Sequence, residues 1–301
     1  MIRVFADSTI TLPPSAPESA AVSVLPLFVR YGGQEFVEST MDVDAFYAKI
    51  GEMVGNPPTS SQPSAATVEE AFEEAACAGD DVLGVFISSQ MSGTLDGALR
   101  AARAVAARHA GFRYAFVDST SNSGDAWPAV REAVQSVEAG HSLAHSAQRA
   151  LFGVRSSRFL FAPNSLAFLK AGGRIGRASA LVGGLMKICP VLTVGDGAVN
   201  VRAKVRSHKK ALDRILSFAA DDVRDHGGLK QLIVHYIGDK APAVAWAKTC
   251  VEPRFGVSVP VLPVSPVIGC HVGPALGIAY QCGDPLPGKI TGNIQDYLFT
   301  S

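Results

Sequence analysis

Residues 81–119 read DVLGVFISSQMSGTLDGALRAARAVAARHAGFRYAFVDS. The run Asp81–Ser88 is almost continuously apolar, which predicts a strand covered on both faces. From Thr94 to His109, Leu95, Ala98, Leu99, Ala102 and Val105 recur at helical spacing, and Asp96 and Arg100 can pair outward at i,i+4. Arg113–Val117 is apolar again and closes on Asp118-Ser119. A strand, a loop, a helix and a second strand in this order require parallel pairing through a right-handed crossover.

The same alternation extends in both directions. Ile2–Ala6 is a strand ending in Asp7-Ser8-Thr9, and Ala21–Tyr31 is a second extended run. Val43–Met53 reads as a helix with Phe46, Tyr47 and Ile50 on one side. Thr67–Ala78 is a clearer one, with Val68, Ala71, Phe72, Ala75 and Ala76 opposite Glu69, Glu70, Glu73 and Glu74. Asp125–Glu138 and Ser142–Val154 follow as helices, and a break is expected near Arg155–Arg158. Beyond it come a strand (Phe159–Ala162), a helix around Ala178–Ile188 and a hairpin, Val191–Val194 with Ala198–Ala203, turned by Gly195-Asp196-Gly197. A helix (His208–Ala220), a strand (Gln231–Ile237), a helix (Ala241–Val251) and extended segments to about Ala279 complete the reading. The expected organisation is an N-terminal α/β domain over 1–155 and a C-terminal α/β domain over 156–301.

Composition limits the function. A chain of 301 residues with 48% hydrophobic and 18% charged residues has ample core for two domains and is not disordered. Twenty-seven basic residues balance twenty-seven acidic ones, which argues against a nucleic-acid binder. No apolar run reaches membrane-spanning length, and the N-terminus MIRVFADST carries no secretory leader, so a cytoplasmic protein is expected. Five widely spaced cysteines, an odd number without a CxxC pair, imply no disulfide framework and no zinc site. His141 and His145 share a helix face but lack a third ligand, so no metal is expected there. The GxxxxGK[ST], GxSxG and HExxH signatures are absent.

Polar chemistry gathers where strands end. The stretches are Asp7-Ser8-Thr9, Thr59-Ser60-Ser61-Gln62-Pro63-Ser64, Ser88–Thr94 and Asp118–Ser123. In open α/β sheets ligands bind beyond these ends, where helix N-termini offer free N–H groups to an anion. Each stretch also reads as an ordinary helix cap. Gly172-Gly173-Arg174-Ile175-Gly176 offers a flexible backbone around one arginine, and Cys270-His271-Val272-Gly273-Pro274 sets a histidine between apolar segments. Arg202, Lys204, Arg206, His208, Lys209, Lys210 and Arg214 form a local basic run opposed only by Asp213. It is either a solvated face or a docking site for an acidic partner or phosphate.

Taken in order, D-S-T-x-x-L-P (7–13), L-P-L (25–27), S-Q-P-S (61–64), I-S-S-x-x-S-G-T (87–94), V-D-S (117–119), L-x-x-G-G-R-I (169–175), K-I-x-P-V-L (187–192), K-V-R (204–206) and H-V-G-P (271–274) make the chain resemble the DegV family of fatty acid-binding proteins, the FakB type, over about residues 2–280. The resemblance implies a two-domain α/β DegV (EDD-type) fold: a mainly parallel sheet with helices on both faces, then a second α/β domain, with a ligand tunnel between them. It implies a non-enzymatic carrier that presents a long-chain fatty acid to a separate ATP-dependent fatty acid kinase for acyl-phosphate formation in phospholipid metabolism, with no other cofactor. Carried over through the motifs, the carboxylate falls to Ser60, Ser61, Ser92, Arg174 and His271, and kinase docking to Arg206. Leu166, Phe168, Leu169, Val182, Leu185, Met186 and Ile188 are candidate tunnel lining, each equally readable as core. The chain departs from the family pattern at Ser60, usually Thr, with Thr59 one residue away as a substitute. It departs again at Glu38, usually Asp, and after the histidine, where Gly273-Pro274-Ala275 replaces GPG and Leu276-Gly277 arrives one residue early.

Energetics agree with such a ligand. Hydrogen bonds to a charged head contribute roughly 1.5–3 kcal/mol each, and about fifteen methylenes contribute about 12 kcal/mol gross at ~0.8 per CH2. The tail therefore sets affinity and the head sets orientation. Two other readings stay open from the residues. One is a serine acyl hydrolase with Ser92 as nucleophile, His271 as base and Asp7 or Asp118 as orienting acid. The other is a subunit holding a small polar ligand through its histidine.

Overall fold

The computed structural model describes residues 1–181 and 188–301. Strands β1 (Ile2–Asp7) and β2 (Val22–Leu25) pair in parallel, while β3 (Phe28–Tyr31), β4 (Gln34–Val37) and β5 (Thr59–Ser61) form a small antiparallel sheet in the order β4-β3-β5. The single extended run expected over Ala21–Tyr31 is thus shared between two sheets. Leu25-Pro26-Leu27 marks the switch, since Pro26 has no N–H to continue a ladder. Helices α1 (Val43–Lys49) and α2 (Ala65–Cys77) precede β6 (Asp81–Phe86), followed by α3 (Thr94–Arg108), β7 (Tyr114–Asp118), α4 (Ser123–Glu138) and α5 (Leu143–Ser156).

Strands β1, β2, β6 and β7 are parallel, as the crossover pattern requires, in the order β7-β6-β1-β2. The continuous apolar run of β6 has a direct cause. Leu83 and Val85 face Trp127, Val130 and Leu151 of α4 and α5, whereas Val82 and Phe86 face Phe72, Leu95 and Leu99 of α2 and α3. Gly84 leaves room for the Phe86 and Phe116 rings, which meet edge to face with centroids 5.3 Å apart.

The second half begins without a linker: α5 ends at Ser156 and β8 (Ser157–Pro163) starts at once. Then come α6 (Ala167–Ala171), β9 (Cys189–Gly195), β10 (Ala198–Val205), α7 (His208–Asp225), β11 (Leu229–Ile237), α8 (Lys240–Trp246), α9 (Glu252–Phe255), β12 (Val261–Pro263), α10 (Pro266–Val272) and β13 (Ala275–Cys282). Their sheet runs β10-β9-β8-β13-β11-β12 and is antiparallel except at β11/β12. The β9–β10 hairpin turns through Asp196 and Gly197, both at positive φ (49° and 79°), a two-residue turn whose twist matches the strands. Where a helix was expected over Ala178–Ile188, Gly176–Leu181 is a short 3-10 segment, 182–187 lie outside the described residues, and Ile188 is not helical.

Strand β14 (Leu298–Thr300) returns to the first sheet and pairs antiparallel with β7. Helix α4 lies between the two large sheets. Residues 123–130 are buried all round, as expected of a helix without a solvent face, and Ile233 of β11 joins the cluster around Trp127. Two ion pairs are buried: Lys289 with Asp125 of α4, and Arg158 of β8 with Asp222 of α7 at 2.5 Å.

Candidate functional site

A cavity of about 300 Å³ opens between the sheets, the lower end of the range for ligand sites. One end is polar and is built by three separate pieces of backbone. Strand β5 brings Ser60, the loop after β6 brings Ser92, and the last turn of α10 brings His271, with Arg174 at the rim. Among the described residues its wall is otherwise mainly apolar, including Ile87, Phe159, Phe161, Val194, Val267 and Ile268.

Strand alternation decides which hydroxyl meets the histidine. Ser60 Oγ lies 2.8 Å from His271 Nε2, whereas Ser61, which also lines the cavity, donates its hydroxyl to Glu35 at 3.4 Å. Ser60, not Thr59, therefore faces the histidine. Ser92 Oγ accepts from the Thr94 N–H at 3.3 Å and shares a hydrogen bond with Thr94 Oγ1 at 2.9 Å. It thus contributes to the start of α3, whose N-terminus carries partial positive charge. A Cβ at Gly93 would sit 2.7 Å from Gln62 Oε1, so glycine here lets the 60–62 and 92–93 segments close on each other. A Cβ at Gly172 would sit 2.3 Å from His271 Nδ1. The Gly172-Gly173-Arg174 turn is therefore pressed against the imidazole.

Helix α10 was not expected from the sequence. Every one of its residues is buried, so it shows no amphipathic period, and its length resembles an extended apolar run. Pro266 starts it and Gly273, at φ 67°, ends it against the Phe168 ring. Tyr47 donates to the carbonyls of Val264 and Ser265 at 2.7 and 3.0 Å, and Glu38 accepts from the Val267 N–H at 3.0 Å and from the hydroxyls of Ser265 and Ser8. Glu38 thereby joins the end of β1 to the helix carrying His271.

Burial, then the Arg174 charge, brings His271 down to about 4, so the ring is neutral near pH 7. In either tautomer one hydrogen serves the Ser60–His271 contact and one is left over. Among the described residues Nδ1 has no partner and is buried against Gly172. An orphaned N–H costs more there than a lone pair, which favours hydrogen on Nε2 and leaves the Ser60 O–H to donate into the cavity. Desolvation lifts Asp7 to about 6 and Glu38 to about 7, despite the hydrogen bonds each accepts, so these carboxyls behind the site carry reduced negative charge. Ser60, Ser92 and Arg174 thus offer donors and positive charge, a set that suits a carboxylate.

Of the remaining sequence candidates, Leu169 lines the cavity. Phe168 is buried beside Gly273, Leu166 packs against the core, and neither these nor Ile188 is part of the wall. Val182, Leu185 and Met186 lie outside the described residues. Arg206 is exposed in the bend just after β10, whose Arg202 and Lys204 are exposed on the face opposite the half-buried Val201, Ala203 and Val205. The hydrolase arrangement is not assembled. His271 contacts Ser60 rather than Ser92, Asp7 binds Thr9 and the Ile87 N–H, and Asp118 binds Ser89 and Thr120.

Asn122 on the wall belongs to the strand-end stretch Asp118–Ser123, whereas sequence reading missed His235 there. His235 accepts from the Gly124 N–H at 3.2 Å and contacts the Leu262 carbonyl at 3.0 Å, and burial brings it down to about 4. A lone histidine in an apolar strand gives no signal of this.

A family model described as "Uncharacterised protein, DegV family" matches residues 1–282. A DegV domain-containing protein of Clostridium acetobutylicum is 36% identical over 280 residues, covering 93% of this chain and 97% of that one. A second, from Clostridium perfringens, is 33% identical with 93% and 98% coverage. Among solved structures, a fatty acid-binding DegV family protein from Thermus thermophilus superposes with a TM-score of 0.80 at 29% identity, covering 93% of this chain and 99% of that one. DegV of Bacillus subtilis, described as a fatty acid binding protein, shares the fold with a TM-score of 0.79 at 24% identity and coverage of 93% and 99%.

Proposed function

The chain belongs to the DegV family, and from that premise we propose that it carries a long-chain fatty acid and presents the carboxylate to a separate ATP-dependent fatty acid kinase. The observation that carries this reading is one cavity with an apolar wall and a head of Ser60, Ser92, Arg174 and neutral His271. The tail is held by the strands of the second sheet and by α10. The head is oriented by the Ser60 hydroxyl, supported from behind by His271, and by Ser92 at the start of α3. The apolar wall speaks against a small polar ligand.

In this reading the protein itself performs no chemistry. It works in the cytoplasm with two α/β domains, 1–155 and 156–301, on either side of the tunnel, and Arg206 with the exposed basic residues of β10 meets the kinase. Organic extraction of the purified native protein, with mass spectrometry of the extract, tests the carrier. A stoichiometric long-chain acid is expected. An empty protein that also refuses added fatty acid would overturn the reading and leave the family resemblance speaking for the fold alone.

A further inference from the structure

Away from the cavity, Glu73, Cys77 and His109 converge at the C-terminal ends of α2 and α3. Glu73 and Cys77 are one turn apart on α2 and share a face. His109 caps the end of α3. One ligand atom from each of the three lies within 4.8 Å of the others. Glu73 Oε1 already touches His109 Nε2, and the other carboxylate oxygen is held by Arg108 Nη2 at 2.7 Å. Arg108 also reaches Glu69 at 2.8 Å, and with His109 it holds the Glu73 carboxyl below its ordinary range. Cys77 is a free, exposed thiol, and Glu73 and His109 are half-buried, so the cluster is open to an ion from solvent.

We propose that Glu73, Cys77 and His109 form a three-ligand site for a divalent cation of the zinc class, with water completing a tetrahedron. A thiolate, an imidazole and a carboxylate are the donors zinc accepts, whereas calcium and magnesium select oxygen alone. Arg108 plays the outer partner that fixes the carboxylate and leaves Oε1 for the ion. Uptake displaces the Cys77 thiol proton to solvent, and the hydrogen that His109 Nε2 donates to Glu73 is given up by exchange with solvent, leaving the neutral ring with its hydrogen on Nδ1. The site joins the far ends of two helices whose near ends flank the cavity head, since α2 starts just past Gln62 and α3 just past Gly93. At 1.5 Å per residue the separation is about 20 Å.

The test is titration of the metal-free full-length chain with Co²⁺, whose thiolate charge-transfer absorption reports sulfur ligation, followed by displacement with Zn²⁺. One equivalent is expected, with a band that Zn²⁺ bleaches and that Cys77→Ser abolishes. His109→Ala and Glu73→Gln should each weaken Co²⁺ binding by more than the roughly ten- to 100-fold that loss of an outer partner costs. Cys250→Ser, which removes the other exposed thiol, should change nothing. Absence of the band, or its survival in Cys77→Ser, would overturn the site. So would a band lost in Cys77→Ser yet indifferent to both other substitutions, because it would report a lone surface thiol.

Discussion

Ser60 Oγ and His271 Nε2 stand 2.8 Å apart although 211 residues separate them in the chain. One belongs to the small antiparallel sheet and the other to α10, so the contact ties the first half of the chain to the second. If the pair orients a carboxylate, removing either member removes a hydrogen bond to charge. Ser60→Ala, His271→Ala and Ser92→Ala should each weaken fatty acid binding roughly ten- to 150-fold. Fluorescent fatty acid displacement would measure this. Unchanged affinity in all three would refute the assignment of the head.

Gly172 is the second test of the same geometry. Its φ of −77° suits alanine, but the added Cβ would meet His271 Nδ1. Gly172→Ala should therefore displace the imidazole and weaken binding about as much as His271→Ala. The packing cost should be about 1–3 kcal/mol in a denaturant titration. Full affinity in a folded Gly172→Ala protein would show that the ring position is irrelevant to the ligand.

The buried carboxyl of Glu38 makes a prediction about pH. Burial raises it from 4.5 to about 7, so the folded state holds a proton that the unfolded chain releases between those values. Its contribution is fully present below about pH 4.5 and is lost as pH rises through about 7. Glu38→Gln keeps the protonated shape without the titration. Relative to wild type, the variant should gain stability as pH rises, by about 3 kcal/mol at pH 8 compared with pH 4.5. Chemical denaturation across that range reads the difference, and parallel pH profiles for the two proteins would remove Glu38 as the cause.

His271 and His235 act in the opposite sense. Both are brought from 6.5 to about 4, so the unfolded chain binds protons that the folded protein refuses. Stability from these rings is present above about pH 6.5 and falls as pH drops through about 4. His235→Gln should flatten the acid limb of the stability profile. An acid limb of undiminished steepness would count against the neutral ring.

If the proposed kinase docks at Arg206, binding and presentation should separate there. Arg206 is exposed just past the end of β10, the strand that gives Val199 to the cavity wall. Arg206→Ala should then leave fatty acid affinity unchanged and lower phosphorylation of the bound acid by the proposed kinase at least about tenfold. Loss of both would point to damage to the fold, and loss of neither would remove Arg206 from the partner surface.

Much of this was legible in the chain itself. Strand β6 and helix α3 could be read because local periodicity reports burial on one face or two; Ser60, Ser92, Arg174 and His271 were singled out because they sit in short ordered motifs, and all four line one cavity. Tertiary structure alone decided the rest. The wall is drawn from strands distant in sequence, so no window of residues marks Phe161 or Val194 as lining rather than core. Helix α10 is buried on every side and so loses the period that would have revealed it. Ser60 and Ser61 are chemically equal neighbours, and only the pleat sends one to His271 and the other to Glu35. Cysteine spacing spoke against a metal site, yet folding brings His109 beside Glu73 and Cys77. Periodicity is a property of neighbours along the chain, whereas a site is a property of neighbours in space.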